Sequence, residues 1–447
     1  MKITLTGLLT GVAIAALILL LGIGFGYRKP KSWVMSYLQH FCGVLFIFSG
    51  MVKAVDPLGT AYKMEQYFAE FVYTFETTWM SFITPVFPFL SDYVVAFSVI
   101  MILLEIVLGL MLIMGNRPKV TAGLFLVIVL FFTFLTGFTF LTGYVPQGGS
   151  FFSFGTWGPY VETNMKVTDC GCFGDFLKLK PKVSFYKDLF LLLPAIYFVL
   201  RSKDMHTLFS KKVQNGILAG SLVILLIYCL SNFMWNIPGV DFRPFYKGAN
   251  VRAVKLAEEA SASSVKITHY LMKNRETGEE IKLPFDTYMK NFKDYPKDKF
   301  EILDQIKTLP TLEATKISDF DYTDGDGNSM VEDLLNETGY SLMIVSYKLK
   351  PDNESFLNKY RKKVVPMAQK AEAAGVKVFA LAGGAGQETI EAFRHTVQAN
   401  FPVYEADDIL LKTIVRSNPG VVLWKDGKIV DKWHIRKLPA FEEMGVK

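Results

Sequence analysis

Two cysteines carry the sharpest chemical signal in this chain. Cys170 and Cys172 stand one residue apart in Thr168-Asp169-Cys170-Gly171-Cys172-Phe173-Gly174-Asp175. Glycine between and after them permits the tight backbone that a Cys-x-Cys disulfide needs. So small a ring is strained, and strained disulfides are more oxidising and more labile. That suits thiol exchange. Two close thiolates also suit zinc or copper, but a closed zinc site takes four ligands. His40, His206, His269, His395 and His434 are all remote from the pair in sequence, so no metal ligand is assigned. A purely structural bridge is the third reading. The other cysteines, Cys42 and Cys229, fall in apolar stretches, where a lone cysteine is a small packing residue.

Charges inside apolar stretches are the second signal. Lys53 and Asp56 close one such stretch, and Glu105 sits in the middle of another. A carboxylate at membrane depth costs a few kcal/mol and faces a partner or a cavity. Lys53 can snorkel outward or reach Glu105. Either an interhelical clamp or a proton relay with the polar end of a quinone pocket follows. A quinone is the cofactor such a pocket would take. His40, on the same stretch as Lys53, is expected at the membrane interface.

These residues need elements to hold them. Of 447 residues, 51% are hydrophobic and 20% charged, which excludes disorder and a small disulfide-stapled scaffold. Residues 1–240 hold 28 of the 90 charged residues and all of the net +6 charge; 241–447 hold the other 62 and balance. A membrane half thus precedes a soluble half. A spanning helix needs ~20 apolar residues, and about six candidates run near 7–26, 34–54, 93–115, 119–143, 185–201 and 216–236. The first, after Met1-Lys2-Ile3, is taken as an uncleaved helix. Lysine and arginine concentrate at 28–31, 117–119 and 201–212. Placing these in the cytoplasm puts the 144–184 loop and everything after about 237 in the periplasm of a Gram-negative cell, an oxidising compartment. The positive charge reports topology, so no nucleic-acid partner is expected.

Gly50-x-x-Lys53-x-x-Asp56-Pro57, the Glu105 helix with Gly109 and the Asp169-Cys170-Gly171-Cys172-Phe173-Gly174 element together resemble the DoxX-like membrane family and its MauE branch. The resemblance covers roughly 33–200 and implies a four-helix core. DoxX-like members are tied to quinone-linked sulfur oxidation, and MauE-like ones to disulfide formation. Segments 1–32 and 203–240 would add a helix on each side of the 33–202 bundle.

Residues 241–316 form a connecting region with a hairpin turn at 274–279 and no assigned fold. From 317 to 447 the pattern is strand (340–347), helix (352–374), strand (376–382), helices (387–398, 408–416), then a hairpin at 420–430 turned by Asp426-Gly427, a strong hairpin signal. That order implies a layered α/β domain and resembles a thioredoxin-like domain. Asn418-Pro419 occupies the place of that fold's cis-proline and, by resemblance, docks a client. The fold's Cys-x-x-Cys is missing: its place reads Ser346-Tyr347-Lys348-Leu349-Lys350-Pro351, and no cysteine follows Cys229. The acidic stretch 319–328 lacks the EF-hand spacing, and Gly383-Gly384-Ala385-Gly386 lacks a phosphate-loop lysine.

The expectation is an inner-membrane, multi-pass protein of thiol-redox homeostasis or disulfide transfer. Cys170 and Cys172 exchange, Lys53 and Glu105 organise the bundle, and the soluble domain docks a periplasmic client or envelope protein. The alternative is a non-catalytic accessory or scaffold subunit of an envelope or respiratory assembly. The aromatic run at 151–157 would then offer a partner surface.

Overall fold

The computed structural model describes residues 4–26 and 30–446. Met1, Lys2 and Ile3, and Arg28 and Lys29 of the topology argument, lie outside the described residues. The chain divides into two compact units, Met1–Phe242 and Arg243–Lys447.

The first unit is helical. Helices α1 (Leu5–Gly26) and α2 (Trp33–Val55) are followed by α3 (Pro57–Phe75), α4 (Val86–Asp92), α5 (Val94–Met114), α6 (Pro118–Thr142), α7 (Pro181–Leu200) and α8 (Lys211–Leu230). A π-helical turn, Ser231–Trp235, extends α8. Among the described residues, six helices are long and apolar enough to cross a membrane: α1, α2, α5, α6, α7 and α8 with its extension. The chain is a multi-pass membrane protein.

The helix ends follow from local chemistry. Ser32 caps α2 by accepting from the Met35 amide, and Pro118 and Pro181 stand in the first turns of α6 and α7, where a missing N–H costs nothing. Gly115, at φ 63°, ends α5 in the left-handed conformation that glycine favours. Helices α7 and α8 begin several residues earlier than the apolar runs at 185 and 216, because the lysines at their starts do not stop a helix. Lys187, within the run expected at 185–201, lies inside α7.

Glycines set the closest crossing. A Cβ on Gly43 would lie 2.8 Å from the Gly109 carbonyl oxygen, and one on Gly109 would lie 2.8 Å from that of Gly43. Helices α2 and α5 thus touch backbone to backbone, as small residues allow in membranes.

The second unit is α/β. Helix α9 (Val251–Ser263) precedes β1 (Ile267–Asn274), β2 (Glu280–Pro284), α10 (Phe285–Lys290) and β3 (Phe300–Lys307). These strands form an antiparallel sheet of order β2-β1-β3. Asn274 turns the expected hairpin, its side chain accepting from the Glu276 amide at 2.8 Å. This region carried no assigned fold because β3 is exposed at six of its eight positions and shows no alternation.

Then come α11 (Val331–Leu335), β4 (Tyr340–Ser346), α12 (Glu354–Lys359), α13 (Val365–Ala373), β5 (Lys377–Gly383), α14 (Gln387–Val397), β6 (Val403–Ala406), α15 (Asp408–Ile414), β7 (Gly420–Lys425) and β8 (Lys428–His434). Their sheet runs β6-β5-β4-β7-β8. Strand β4 pairs parallel with β5 and antiparallel with β7. The single helix expected at 352–374 is interrupted by a π-helical turn, Tyr360–Val364, next to Pro366, which has no amide to donate. Asp426 and Gly427 have φ of 50° and 67°, as a two-residue hairpin of this hand requires. Strand β6, four residues long, was absent from the expectation. Lys255 donates to the Ser318 and Phe320 carbonyls, so interactions run across residue 317.

The α2–α5 crossing predicts that Gly109→Leu lowers stability by about 1–3 kcal/mol, read as a fall in the thermal midpoint of the detergent-solubilised protein. Gly123→Ala, with open space around its Cβ, should leave the midpoint in place.

Candidate functional site: a thiol pair over buried charges

The segment 165–176 folds into one end of the helical unit. Ser49 of α2 donates to the Cys172 carbonyl at 2.8 Å, and Phe173 is buried against Phe48. Gly171 sits at φ 62°, and a Cβ there would be 2.9 Å from Cγ of Lys63 on α3. Only glycine suits both constraints. Two ion pairs fasten the segment to α3: Lys63 with Asp169 at 3.1 Å and Lys166 with Glu70 at 3.4 Å.

All four cysteines are free thiols. Cys42 and Cys229 are buried among apolar side chains of the helices and take no part. Cys170 is half-buried and Cys172 buried. The Cys170 Sγ lies 2.6 Å from Ser184 Oγ of α7. A hydrogen bond from the Cys172 thiol holds the Cys170 thiol well below the usual range; burial opposes this, and the Ser184 hydroxyl and Lys187 ammonium add to it. Cys172, the donor of that bond and buried, is pushed well above the usual range. The proton the two share is therefore favoured on Cys172, which leaves Cys170 the more acidic thiol of the pair.

Beneath the thiols lie two buried ion pairs. Lys53 Nζ is 2.7 Å from Glu105 Oε2, with both side chains at 6% exposure or less, and it faces the Phe132 ring at 4.9 Å. Of the two roles weighed for Lys53, reaching Glu105 is the one observed. Lys187 pairs with Asp188 at 2.5 Å, and Asp188 also accepts from Thr136 of α6 at 3.0 Å. Lys53, Glu105, Cys172, Lys187 and Asp188 line one narrow cavity. Lys53, Glu105, Cys170 and Cys172 also line a slot of about 40 Å³. That volume suits a few waters and is too small for a quinone ring, so no step is routed through a quinone.

Asp56 is not part of this cluster. It stands between α2 and α3, and its Oδ1 accepts from the Gly59 amide at 3.1 Å, a helix cap. His40 is fully buried within the helical unit. The charged side chains flanking the thiols are paired, Asp169 with Lys63, Lys166 with Glu70, and Asp175 with Lys178 at 3.3 Å. The cation that acts on the thiols is Lys187. Its signal was present as two adjacent charges, Lys187-Asp188, at the start of an apolar run. The aromatic run is largely internal: Phe151 packs on Phe138 at 4.9 Å and accepts at its carbonyl from Trp157 Nε1. Phe154 alone of its aromatics is widely exposed.

In the second unit the Asn418–Pro419 peptide is cis. The Asn418 side chain donates to the Lys348 carbonyl at 2.8 Å, joining the loop after β4 to the turn before β7. Asp324 Oδ1 accepts from the Asp326 and Asn328 amides, so the acidic stretch is a side-chain-closed turn. Among the described residues, no group of three or more histidine, cysteine or acidic side chains is placed to hold a metal.

No family model matches the chain, and no curated protein matches it.

The Lys53–Glu105 pair predicts a non-additive cycle. Removing one partner of a buried pair costs about 3–5 kcal/mol, so Lys53→Met and Glu105→Gln should each destabilise strongly. The double variant should recover most of the loss. Unfolding of the solubilised protein by denaturant checks this.

Proposed function

We propose that this chain is a membrane thiol–disulfide exchange protein. The observation that carries the proposal is the asymmetry of the pair: a half-exposed Cys170 whose thiolate is favoured, beside a buried, protonated Cys172. Thiol exchange needs one attacking thiolate and one resolving thiol within reach.

The step balances without a further reagent. The Cys170 thiolate attacks one sulfur of a client disulfide, forming a mixed disulfide and releasing the client's other sulfur as a thiolate. Cys172 gives its proton to that thiolate. Its own sulfur then attacks Cys170 Sγ, forming the Cys170–Cys172 disulfide and releasing the client's second sulfur as a thiolate, so that the client leaves with one thiol and one thiolate. The client is reduced by two electrons and the pair is oxidised by two. Run in reverse, the same pair oxidises a client dithiol. Lys187 favours the thiolates, and the Lys53–Glu105 pair holds α2 against α5 beneath them.

The rest of the proposal builds on resemblance and residue pattern. The bundle is DoxX/MauE-like and lies in a bacterial inner membrane, with the second unit in the periplasm. The strand order with a parallel β4–β5 pair, an antiparallel β7–β8 hairpin and cis-Pro419 supports a thioredoxin-like domain. Without cysteines, it cannot exchange thiols itself and serves as a docking module through Asn418 and Pro419. That same lack of cysteines favours the second reading, a membrane-anchored accessory or scaffold subunit.

The two readings separate in cells. With Cys172→Ser, acid-quenched thiol trapping should capture mixed disulfides through Cys170, and Cys170→Ser should capture none. A wild-type pair that stays fully oxidised and ignores added reductant would sink the exchange proposal and leave the scaffold.

A further inference from the structure

At the opposite end of α2 from the thiols lies a second polar centre. His40 is fully buried, and neither of its ring nitrogens has a hydrogen-bond partner. Its ring lies 4.7 Å from that of His206. His206 is committed elsewhere. Its Nε2 is 2.8 Å from the Ile113 carbonyl oxygen, and its Nδ1 is 2.9 Å from Ser36 Oγ. A carbonyl only accepts, so Nε2 carries the hydrogen, and Nδ1 accepts from the Ser36 hydroxyl. His40 therefore keeps its whole hydrogen-bonding capacity, and it lines a cavity of about 200 Å³. Buried polar groups are otherwise partnered, and this volume far exceeds the one or two waters that a lone imidazole needs.

The walls say what kind of ligand fits. Leu20 and Ile23 of α1 give an apolar side; Lys31 and Ser36 give a polar side, and among the described residues no carboxylate lines it. Lys31 is the charged side chain there, and its ammonium also donates to the Lys203 carbonyl at 3.2 Å. Helix α1 is the apolar wall, and only 22% of its most apolar stretch is buried, against 61% for α2. Its free side faces lipid. This end of the bundle also carries Arg117, Lys119, Arg201, Lys203, Lys211 and Lys212, at the termini of α5 to α8. Basic pockets between membrane helices suit anionic head groups.

We propose that this cavity binds the phosphate head group of an anionic phospholipid, with Lys31 and His40 donating to phosphate oxygens and the acyl chains lying along α1. A free phosphate ion offers the same oxygen atoms without the chains, so the experiment must separate the two. The site is independent of the thiol chemistry.

The test uses the full chain, purified in detergent and stripped of lipid. Native mass spectrometry follows its binding of phosphatidylglycerol, with phosphatidylcholine as the zwitterionic control. Phosphatidylglycerol should bind preferentially, and millimolar inorganic phosphate should not displace it. Lys31→Ala should weaken its binding about fivefold, the worth of one lysine near a charged surface. Because Lys31 is outside the helices, that variant should fold normally. His40→Leu should weaken binding similarly, with its thermal midpoint measured alongside. Equal binding of the two lipids, or phosphatidylglycerol binding unchanged in Lys31→Ala, would overturn the proposal. So would displacement by inorganic phosphate, or recovery of a neutral ring compound from the untreated protein.

Discussion

A buried charge in an apolar bundle must have a partner, and that constraint organises this protein. Lys53 on α2 and Glu105 on α5 meet at 2.7 Å, across the same helix pair that Gly43 and Gly109 bring into backbone contact. The close crossing lets a lysine and a glutamate reach one another directly. The ion pair in turn fixes how the two helices are rotated. Lys187 and Asp188 form a second buried pair within α7, and Thr136 of α6 joins the two helices by donating to the carboxylate. Four helices are thus tied by two polar clamps at one level.

The thiol pair depends on those clamps. Its loop rests on Ser49 through the Cys172 carbonyl and on Ser184 through the Cys170 sulfur. The ion pairs with Lys63 and Glu70 neutralise the loop's own charges. Against the cost of burial, the hydrogen bond within the pair, the Ser184 hydroxyl and the cation of Lys187 act on the Cys170 sulfur. A low local dielectric strengthens these interactions. The asymmetry between an accessible thiolate and a buried thiol follows from this placement rather than from the Cys-Gly-Cys sequence itself.

Much of this was legible beforehand. Runs of ~20 apolar residues marked the six long helices, and Lys53 and Glu105 marked themselves as charges with nowhere else to go. Asp426-Gly427 announced its hairpin, because few dipeptides accept two positive φ angles. What escaped did so for physical reasons. Lys187 lay inside the apolar run near 185–201 but pointed to no partner, because its nearness to the thiols comes from the packing of α7 beside their loop and not from sequence. Asp56 looked like a third membrane charge, but its sequence position before a proline is equally that of a helix cap. The sheet β2-β1-β3 left little trace because β3 exposes both faces. His40 showed no sign that both its nitrogens would be enclosed, since burial of that kind is set by the 206–208 loop, 166 residues away in sequence.

The central claim is that Cys170 is held as the reactive thiolate of the pair. It is tested most directly by the pH dependence of its alkylation in the full-length, reduced protein in lipid nanodiscs, read by peptide mass spectrometry. The account predicts that Cys170 reacts first, with a half-maximal rate below pH ~7.5, in the range of activated cysteines. Reaction first at Cys172, or a midpoint at or above the ~8.5 of a free thiol, would contradict it.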